Sequence, residues 1–223
     1  MMSKLLHKNS DKILHKVISL TLGVLLTSHS GNTFAKDEKS FRPVSIKSDH
    51  IYGSELAPVS VILYSDFDCP YCRNLRTSLK RLVNESEGKV NWVFRHFPLD
   101  GNIPDTQIQA EASECAAKIN GNNGFWALAN ALFITPRRTK PSTQTIINRA
   151  AKMALLDEAV LNKCIKMGQF INNVSEDKIE AKTLGFTGTP GLIFIHNKSG
   201  NKTIKQGALS LTKLRQHTQV LLK

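Results

Sequence analysis

The sequence predicts an α/β fold in which a helical insertion separates a βαβ unit from a ββα unit. An apolar run rich in β-branched residues at 59–64 is followed by an amphipathic helix and a second apolar run at 90–97. Residues 104–184 then show helical periodicity without a strand pattern, and two short strands and a last helix follow. With 41% hydrophobic and 22% charged residues among 223, the composition is globular, which excludes collagen, a disordered tail and a polytopic membrane protein.

Residues 1–35 have the pattern of a cleavable signal peptide. Four lysines and one aspartate precede an uncharged apolar run at 17–26, which at about ten residues is half of what a membrane-spanning helix requires. Small residues at Thr33 and Ala35 predict cleavage after Ala35 and export to the periplasm. An uncleaved anchor or a helix lying on the lipid surface is the alternative.

The chain is basic, with 30 Lys and Arg against 18 Asp and Glu. Removal of the first 35 residues takes away four lysines and one aspartate, which leaves 26 basic and 17 acidic groups and a net charge of +9. These charges are spread along the chain and few aromatic residues lie between them. We therefore expect a solvated basic surface and no binding of nucleic acid.

The predicted sheet begins after a polar N-terminal extension at 36–58, in which we expect one edge strand near 45–51. The first half of the sheet unit covers 59–103. Its 59–64 strand is apolar on both faces, as a central strand is. A crossover helix that starts at Pro70 joins this strand to the next one, so the two strands are expected to be parallel.

The helical insertion covers 104–184, and the second half of the sheet unit covers 185–223. Helical spacing in the insertion predicts five helices, at 107–119, 125–133, 143–155, 158–167 and 169–184. A basic loop bounded by prolines at 136–141 lies between the second and the third. The last segment contains the strands 189–195 and 202–207 and an amphipathic helix at 210–222.

Two cysteines, Cys69 and Cys72, lie two residues apart at the predicted junction of the first strand and the first helix. Free N–H groups and the helix dipole at this position favour an anion, so the pKa of Cys69 should fall below the ordinary value of about 8.5. Cys72, about one turn further on, is placed to form a disulfide with Cys69 or to resolve a mixed disulfide with a substrate. Half of a zinc site is the alternative, but a second ligand pair at metal spacing is missing, and we expect no metal.

The motif 66–72, Asp-Phe-Asp-Cys-Pro-Tyr-Cys, together with 186–190, Phe-Thr-Gly-Thr-Pro, resembles the DsbA-like thiol:disulfide oxidoreductases of the thioredoxin superfamily. The resemblance covers most of 52–223 and implies a thioredoxin fold with a helical insertion. It also implies that Pro190 is cis and packs against the active-site disulfide, and that the backbone of Thr189 contacts the substrate chain.

The same resemblance implies a function. The Cys69–Cys72 disulfide would be transferred to reduced secreted proteins, with Pro70 and Tyr71 contributing to substrate binding, and a DsbB-like or other membrane redox partner would reoxidise the pair. One departure is Leu63, since thioredoxin-fold enzymes often bury an acid six positions before the first cysteine. Asp66 and Asp68 lie nearer to the cysteines, and the resemblance assigns them no such role.

Two alternatives use the same thiols. The Pro-Tyr dipeptide and Thr189 also resemble the disulfide isomerases, so the protein could be an isomerase or reductase kept reduced by a membrane electron donor. A non-catalytic chaperone or copper-binding protein is the other alternative.

The remaining cysteines, Cys115 and Cys164, each lie on a predicted helix of the insertion. In an oxidising compartment they are predicted to form a structural disulfide, and two separate buried thiols are the alternative. We interpret His96 as structural and both tryptophans, Trp92 and Trp126, as core residues. No phosphate-binding loop or Ser/His/Asp arrangement is present, and we expect no cofactor.

Overall fold

The computed structural model describes residues 41–100, 106–136 and 141–223. The predicted signal peptide with its cleavage after Ala35 lies outside the described residues, as does most of the basic loop between the second and third predicted helices. Within the described ranges, none of the helices combines the length and the apolarity needed to cross a membrane.

In the described ranges of the chain, five strands form one sheet in the order β1-β3-β2-β4-β5. Strands β2 and β3 are parallel, as the crossover helix predicts, and the other neighbours are antiparallel. Both faces of β2 are buried, which is why its sequence is mostly apolar. The strands are β1 (His50–Tyr52), β2 (Val59–Ser65), β3 (Val90–His96), β4 (Gly191–His196) and β5 (Lys202–Gln206).

The edge strand expected near 45–51 begins later than predicted. Residues before His50 form a turn in which the Asp49 N–H donates to the Ser45 carbonyl at 2.8 Å and the Ser45 N–H donates to the Asp49 carboxylate at 2.9 Å. The same carboxylate accepts from the buried Arg95 guanidinium. Asp49 is therefore held by these contacts, and strand pairing starts with the next residue.

Among the residues that the structure describes, six helices accompany the sheet: α1 (Pro70–Glu85), α2 (Thr106–Ile134), α3 (Thr143–Met153), α4 (Glu158–Lys166), α5 (Ile171–Thr183) and α6 (Leu211–Leu221). The first two predicted helices of the insertion are the two halves of α2. Non-helical backbone at Asn120 and Gly121 separates these halves, and Gly121 has a positive φ of 58°. At Gly124 the chain passes so close to the first half that an added Cβ would lie 2.2 Å from the Ala116 carbonyl oxygen.

Side chains that alternate along β2 point into two different cores. Val61 and Leu63 face the larger core, against α1, α2 and α6, whereas Ile62 and Tyr64 face a smaller core against α5. The larger core contains an aromatic cluster in which the Trp92 and Trp126 rings lie 4.6 Å apart. This division matters for the site, because residues 61, 63 and 65 share the face on which α1 lies.

A disulfide joins Cys115 of α2 to Cys164 of α4, with their Cα atoms 5.9 Å apart. Both residues are buried. The bond closes a segment with a sequence separation of 49, for which the chain-entropy estimate of stabilisation is about 4 kcal/mol. It crosslinks two helices of the insertion.

Candidate functional site

The first cysteine of the motif lies where β2 has ended and α1 begins. Cys69 is the N-cap residue of α1, and its sulfur accepts a hydrogen bond from the Cys72 N–H at 3.4 Å. Pro70 occupies the first turn, where an N–H would have no partner within the helix. Local sequence therefore places a thiol sulfur directly against the positive end of the helix.

The second motif meets the first because β4 is the neighbour of β2. Gly191, the first residue of β4, pairs with Tyr64, so the loop before it lies beside the start of α1. The Cys69 thiol donates to the Thr189 carbonyl at 3.5 Å, and the Thr189–Pro190 bond is cis. The structure thus brings Cys69, Cys72, Thr189 and Pro190 together, although about 120 residues separate the two motifs.

The two thiols of the motif are free and differ in character. A hydrogen bond from the Cys72 thiol, opposed by burial, lowers the pKa of Cys69 to about 6, and the Thr189 side chain and the N–H groups of Cys72 and Tyr71 also lower it. Burial, followed by the hydrogen bond to Cys69, raises the pKa of Cys72. At neutral pH the pair is therefore a thiolate at Cys69 and a thiol at Cys72.

The surroundings of Cys72 contain a hydroxyl group that the sequence analysis missed. Leu63 is buried in the sheet, and two residues further along the same strand face lies Ser65. The Ser65 side chain and the Asp66 N–H both favour the charged form of Cys72, against the larger effect of burial. Ser65 Oγ is buried and has no conventional hydrogen-bond partner in the described part of the chain. The period-two pattern of β2 is the signal that could have identified it.

Asp66, which follows Ser65, orders the loop before the cysteines. The Asp66 carboxylate accepts from the Asp68 N–H at 2.7 Å and from the Leu99 N–H at 2.9 Å. Burial raises its pKa. Phe67 anchors the same loop, since its ring lies 5.0 Å from that of Phe133 on α2. The loop is thereby fixed to both the sheet and the insertion.

The rim of the site is partly open. Pro70 and Tyr71 are exposed, and 64% of Tyr71 is accessible, so an aromatic ring lies free beside the buried sulfurs. In the segment that leads to the cis bond, the Thr187 hydroxyl accepts a hydrogen bond from the Gln206 amide at 2.8 Å.

His96 lies at the end of β3 and pairs with other residues than the cysteines. Its ring Nε2 atom is 2.9 Å from Glu114 Oε1, and its backbone N–H donates to the Asp177 carboxylate at 2.8 Å. Among the described residues, no group of three or more His, Cys, Asp and Glu has the arrangement of a metal site.

Comparison with known proteins agrees with this geometry. The family model described as Thioredoxin matches residues 45–210. In structure the chain is similar to DsbA2 of Pseudomonas aeruginosa, with a TM-score of 0.68, 28% identity, and coverage of 82% of this chain and 97% of the other. Oxidised BdbD from Bacillus subtilis has the same fold, with a TM-score of 0.68 at 20% identity over 82% and 97% of the two chains.

Some sequence relatives are much longer proteins. The chain is 30% identical over 148 residues to Na(+)/H(+) antiporter NhaA 3 of Salinispora tropica, a match that covers 66% of this chain and 22% of that protein. NhaA of Herminiimonas arsenicoxydans is 31% identical over 149 residues, with the same coverage. The chain thus spans about a fifth of the length of these antiporters. The match therefore concerns one part of them.

Proposed function

Because the chain belongs to the thioredoxin family, as a DsbA-like thiol:disulfide oxidoreductase, we propose that it donates the Cys69–Cys72 disulfide to reduced secreted proteins in the periplasm. The observation that carries the proposal is the position of the Cys69 sulfur, which caps α1 beside Cys72 and contacts Thr189, and at this position the pKa of Cys69 is lowered to about 6. A stabilised thiolate favours the reduced pair, and a pair that is stable when reduced gives up its disulfide readily. The pattern of the first 35 residues supports export.

The reaction runs in two exchanges. A substrate thiolate attacks the Cys69 sulfur, the Cys69–Cys72 bond breaks, and the electron pair goes to the Cys72 sulfur, which takes up a proton. A second substrate thiolate then attacks the substrate sulfur of the mixed disulfide, and Cys69 leaves as a thiolate. The substrate loses two electrons and two protons. A membrane oxidant, such as a quinone-linked DsbB-like protein, then removes the two electrons from the reduced pair.

Each neighbouring group has a part in this reaction. The Cys69 sulfur lies 3.5 Å from the Thr189 carbonyl and donates to it only while it is protonated, so neither the thiolate nor a Cys69 bonded to substrate occupies that carbonyl. That carbonyl is then free to accept an N–H of the substrate backbone. The exposed Pro70 and Tyr71 provide apolar contact area next to the reacting sulfur.

The test is the redox equilibrium of the active-site pair against glutathione. The exported protein is equilibrated in glutathione buffers, and the thiols are trapped by alkylation and assigned by mass spectrometry, so that the Cys115–Cys164 disulfide is read separately. We expect a potential well above the value of about −270 mV typical of thioredoxin. A thioredoxin-like potential, with the pair reduced in the cell, would instead support the reductase or isomerase. A Cys69→Ser variant is the inactive control.

A further inference from the structure

Three basic residues of α1 form a stripe that starts next to the reactive cysteines. Arg73, Arg76 and Lys80 stand at positions i, i+3 and i+7, which share one face of a helix. Arg73 directly follows Cys72. The three side chains are half-buried, so each is held against the protein while part of it faces solvent. Their Cα atoms span about 10 Å along the axis, at 1.5 Å per residue.

Carboxylates of the described residues do not neutralise this basic stripe. Arg81 and Arg215 pair with Glu85, and Arg95 pairs with Asp49, whereas none of the three stripe residues has an ion pair within the ranges that the structure describes. Acids of the loop before the cysteines are also engaged elsewhere, since Asp68 accepts from Gln109 at 3.3 Å.

Neutral groups hold the stripe in place instead. Arg76 Nη1 donates to Asn130 Oδ1 at 3.1 Å, and its guanidinium lies 5.8 Å from the centroid of the Phe133 ring. The Lys80 ammonium lies 5.4 Å from the centroid of the Tyr52 ring. The Nε atoms of Arg73 and Arg76 are buried without an acceptor in the described part of the chain. Two guanidinium N–H groups on this face therefore have no hydrogen-bond acceptor among the described residues.

Mutual repulsion is the cost of this arrangement. Burial and then the charge of Arg73 lower the pKa of Arg76, and burial and then the charge of Arg76 lower the pKa of Lys80. Hydrogen bonds from Cys72 and Thr189 are the main causes that lower the pKa of Cys69, so the stripe is not what activates the thiol. A bound anion would relieve the repulsion.

We propose that the basic stripe Arg73, Arg76 and Lys80 docks an acidic segment of the substrate protein, close to the substrate cysteine that attacks Cys69. The inference rests on the proposed function. Carboxylates on alternate residues of an extended chain are spaced about 6.6–6.8 Å apart, so two or three of them span the length of the stripe. Arginine binds a carboxylate through two parallel hydrogen bonds, which adds geometric specificity to the attraction between the charges.

The experiment compares dithiol peptides that differ only in the residues around one cysteine: acidic with Glu, neutral with Gln, and basic with Lys. Rates of oxidation by the disulfide form of the protein are measured at low and at high salt. We expect the acidic peptide to react about tenfold faster than the basic one at low salt, and the ratio to approach one at high salt. Equal rates at low salt would overturn the inference.

Two charge-reversed proteins locate the effect. Arg73→Glu/Arg76→Glu/Lys80→Glu should invert the ratio, whereas Lys152→Glu/Lys163→Glu/Lys166→Glu, on exposed positions of α3 and α4, changes the net charge equally and should keep it. If the second protein also loses the preference for the acidic peptide, net charge explains that preference, and the inference about the basic stripe is wrong. Arg73→Gln/Lys80→Gln leaves the Arg76 contacts intact and should reduce the ratio if the full reversal fails to fold.

The neutral peptide separates this inference from the proposed function. If the wild-type protein fails to oxidise the neutral peptide, the proposed function is wrong. If it oxidises the neutral and acidic peptides at the same rate, the function stands and the inference is wrong. Stripe-dependent binding to vesicles of anionic lipid without any peptide preference would also contradict the inference, because the partner would then be a membrane surface.

Discussion

At the residue scale, chemistry at the site depends on how the protein divides one proton between two sulfurs. Cys69 gains hydrogen bonds from Cys72, Thr189 and the first turn of α1, whereas Cys72 lies fully buried behind it. The pKa of the first is lowered and that of the second is raised, so the order of attack is built into their positions. Thr189, which also lowers the pKa of Cys69, is about 120 residues away in the sequence.

The thiol of Cys72 is the largest cause of the low pKa of Cys69, which gives a direct prediction. Cys72→Ala removes the donor and should raise the pKa of Cys69 from about 6 towards the ordinary value of about 8.5, measured as the pH dependence of alkylation. Cys72→Ser keeps an O–H donor and should retain most of the lowering. Profiles that leave the pKa near 6 in both variants would show that the Cys72 thiol is not what lowers it.

A second prediction concerns the hydroxyl beside Cys72. Ser65→Ala should slow the steps in which the Cys72 sulfur carries charge by about tenfold or more, because a hydrogen bond to a charged group contributes about 1.5–3 kcal/mol. The measurement is single-turnover transfer of the disulfide to a dithiol peptide. Ser65→Thr keeps the hydroxyl and should retain the rate. A structural role for Ser65 would leave the rate of Ser65→Ala unchanged.

The sequence accounts for the two cysteines, the Thr-Pro step and the missing acid at Leu63. Those residues belong to local motifs, or to a fixed distance from one. Ser65 and the basic stripe could not be assigned in the same way, because their roles depend on which face of β2 or α1 they occupy and on what lies opposite. The partners Asn130 and Phe133, for example, are more than 50 residues away from Arg76 in the chain.

At the scale of elements, periodicity predicts the type of element well and its ends less well. Predicted and observed limits of α3, α4 and α6 differ by at most two residues, because capping side chains such as Ser142, Asp157 and Ser210 mark the starts. The edge strand β1 differs because a long-range contact decides where it begins. Its preceding turn is held by Asp49, which pairs with Arg95 on β3.

That contact can be tested through stability. Arg95 is buried and is shared among Asp49, Glu180, the Tyr64 hydroxyl and two backbone carbonyls of the segment before β1. Asp49→Ala would leave part of a buried cation unpaired, and we expect a loss of about 3–5 kcal/mol in the free energy of unfolding. Chemical denaturation measures it. Glu55→Ala, an exposed acid nearby, should change the stability little, and an equal loss in both variants would contradict the role of Arg95.

At the scale of the whole molecule, the fold couples the redox state of the Cys69–Cys72 pair to the free energy of unfolding. The site consists of the Cys69–Cys72 motif at the start of α1 and the Thr189–Pro190 motif before β4. The sheet that brings the two motifs together lies between the two cores. Any property that depends on the contact between Cys69 and Thr189 therefore exists in the folded chain alone. The charge on Cys69 is such a property, and it links the redox state to stability.

This linkage has a definite sign. Folding lowers the pKa of Cys69 from an ordinary value of about 8.5 to about 6, so the stabilisation is complete above the unfolded value and is lost as the pH falls through 6. The disulfide form has no thiol to titrate at this site. The stability of the reduced protein, measured relative to the oxidised one, should therefore rise by about 2 kcal/mol between pH 6 and pH 8.

Cys72 does not reverse this trend, since its raised pKa keeps it neutral in the folded protein and its unfolded form ionises mainly above pH 8. Urea denaturation of both redox forms at several pH values gives the difference directly. Cys69→Ser has no thiolate to stabilise and cannot form the disulfide, so the pH dependence of its stability should match that of the oxidised protein and not that of the reduced one. A difference that stays constant from pH 6 to pH 8 in the wild-type protein would mean that folding does not stabilise the thiolate, and the disulfide would then lack the driving force on which its transfer to substrates depends.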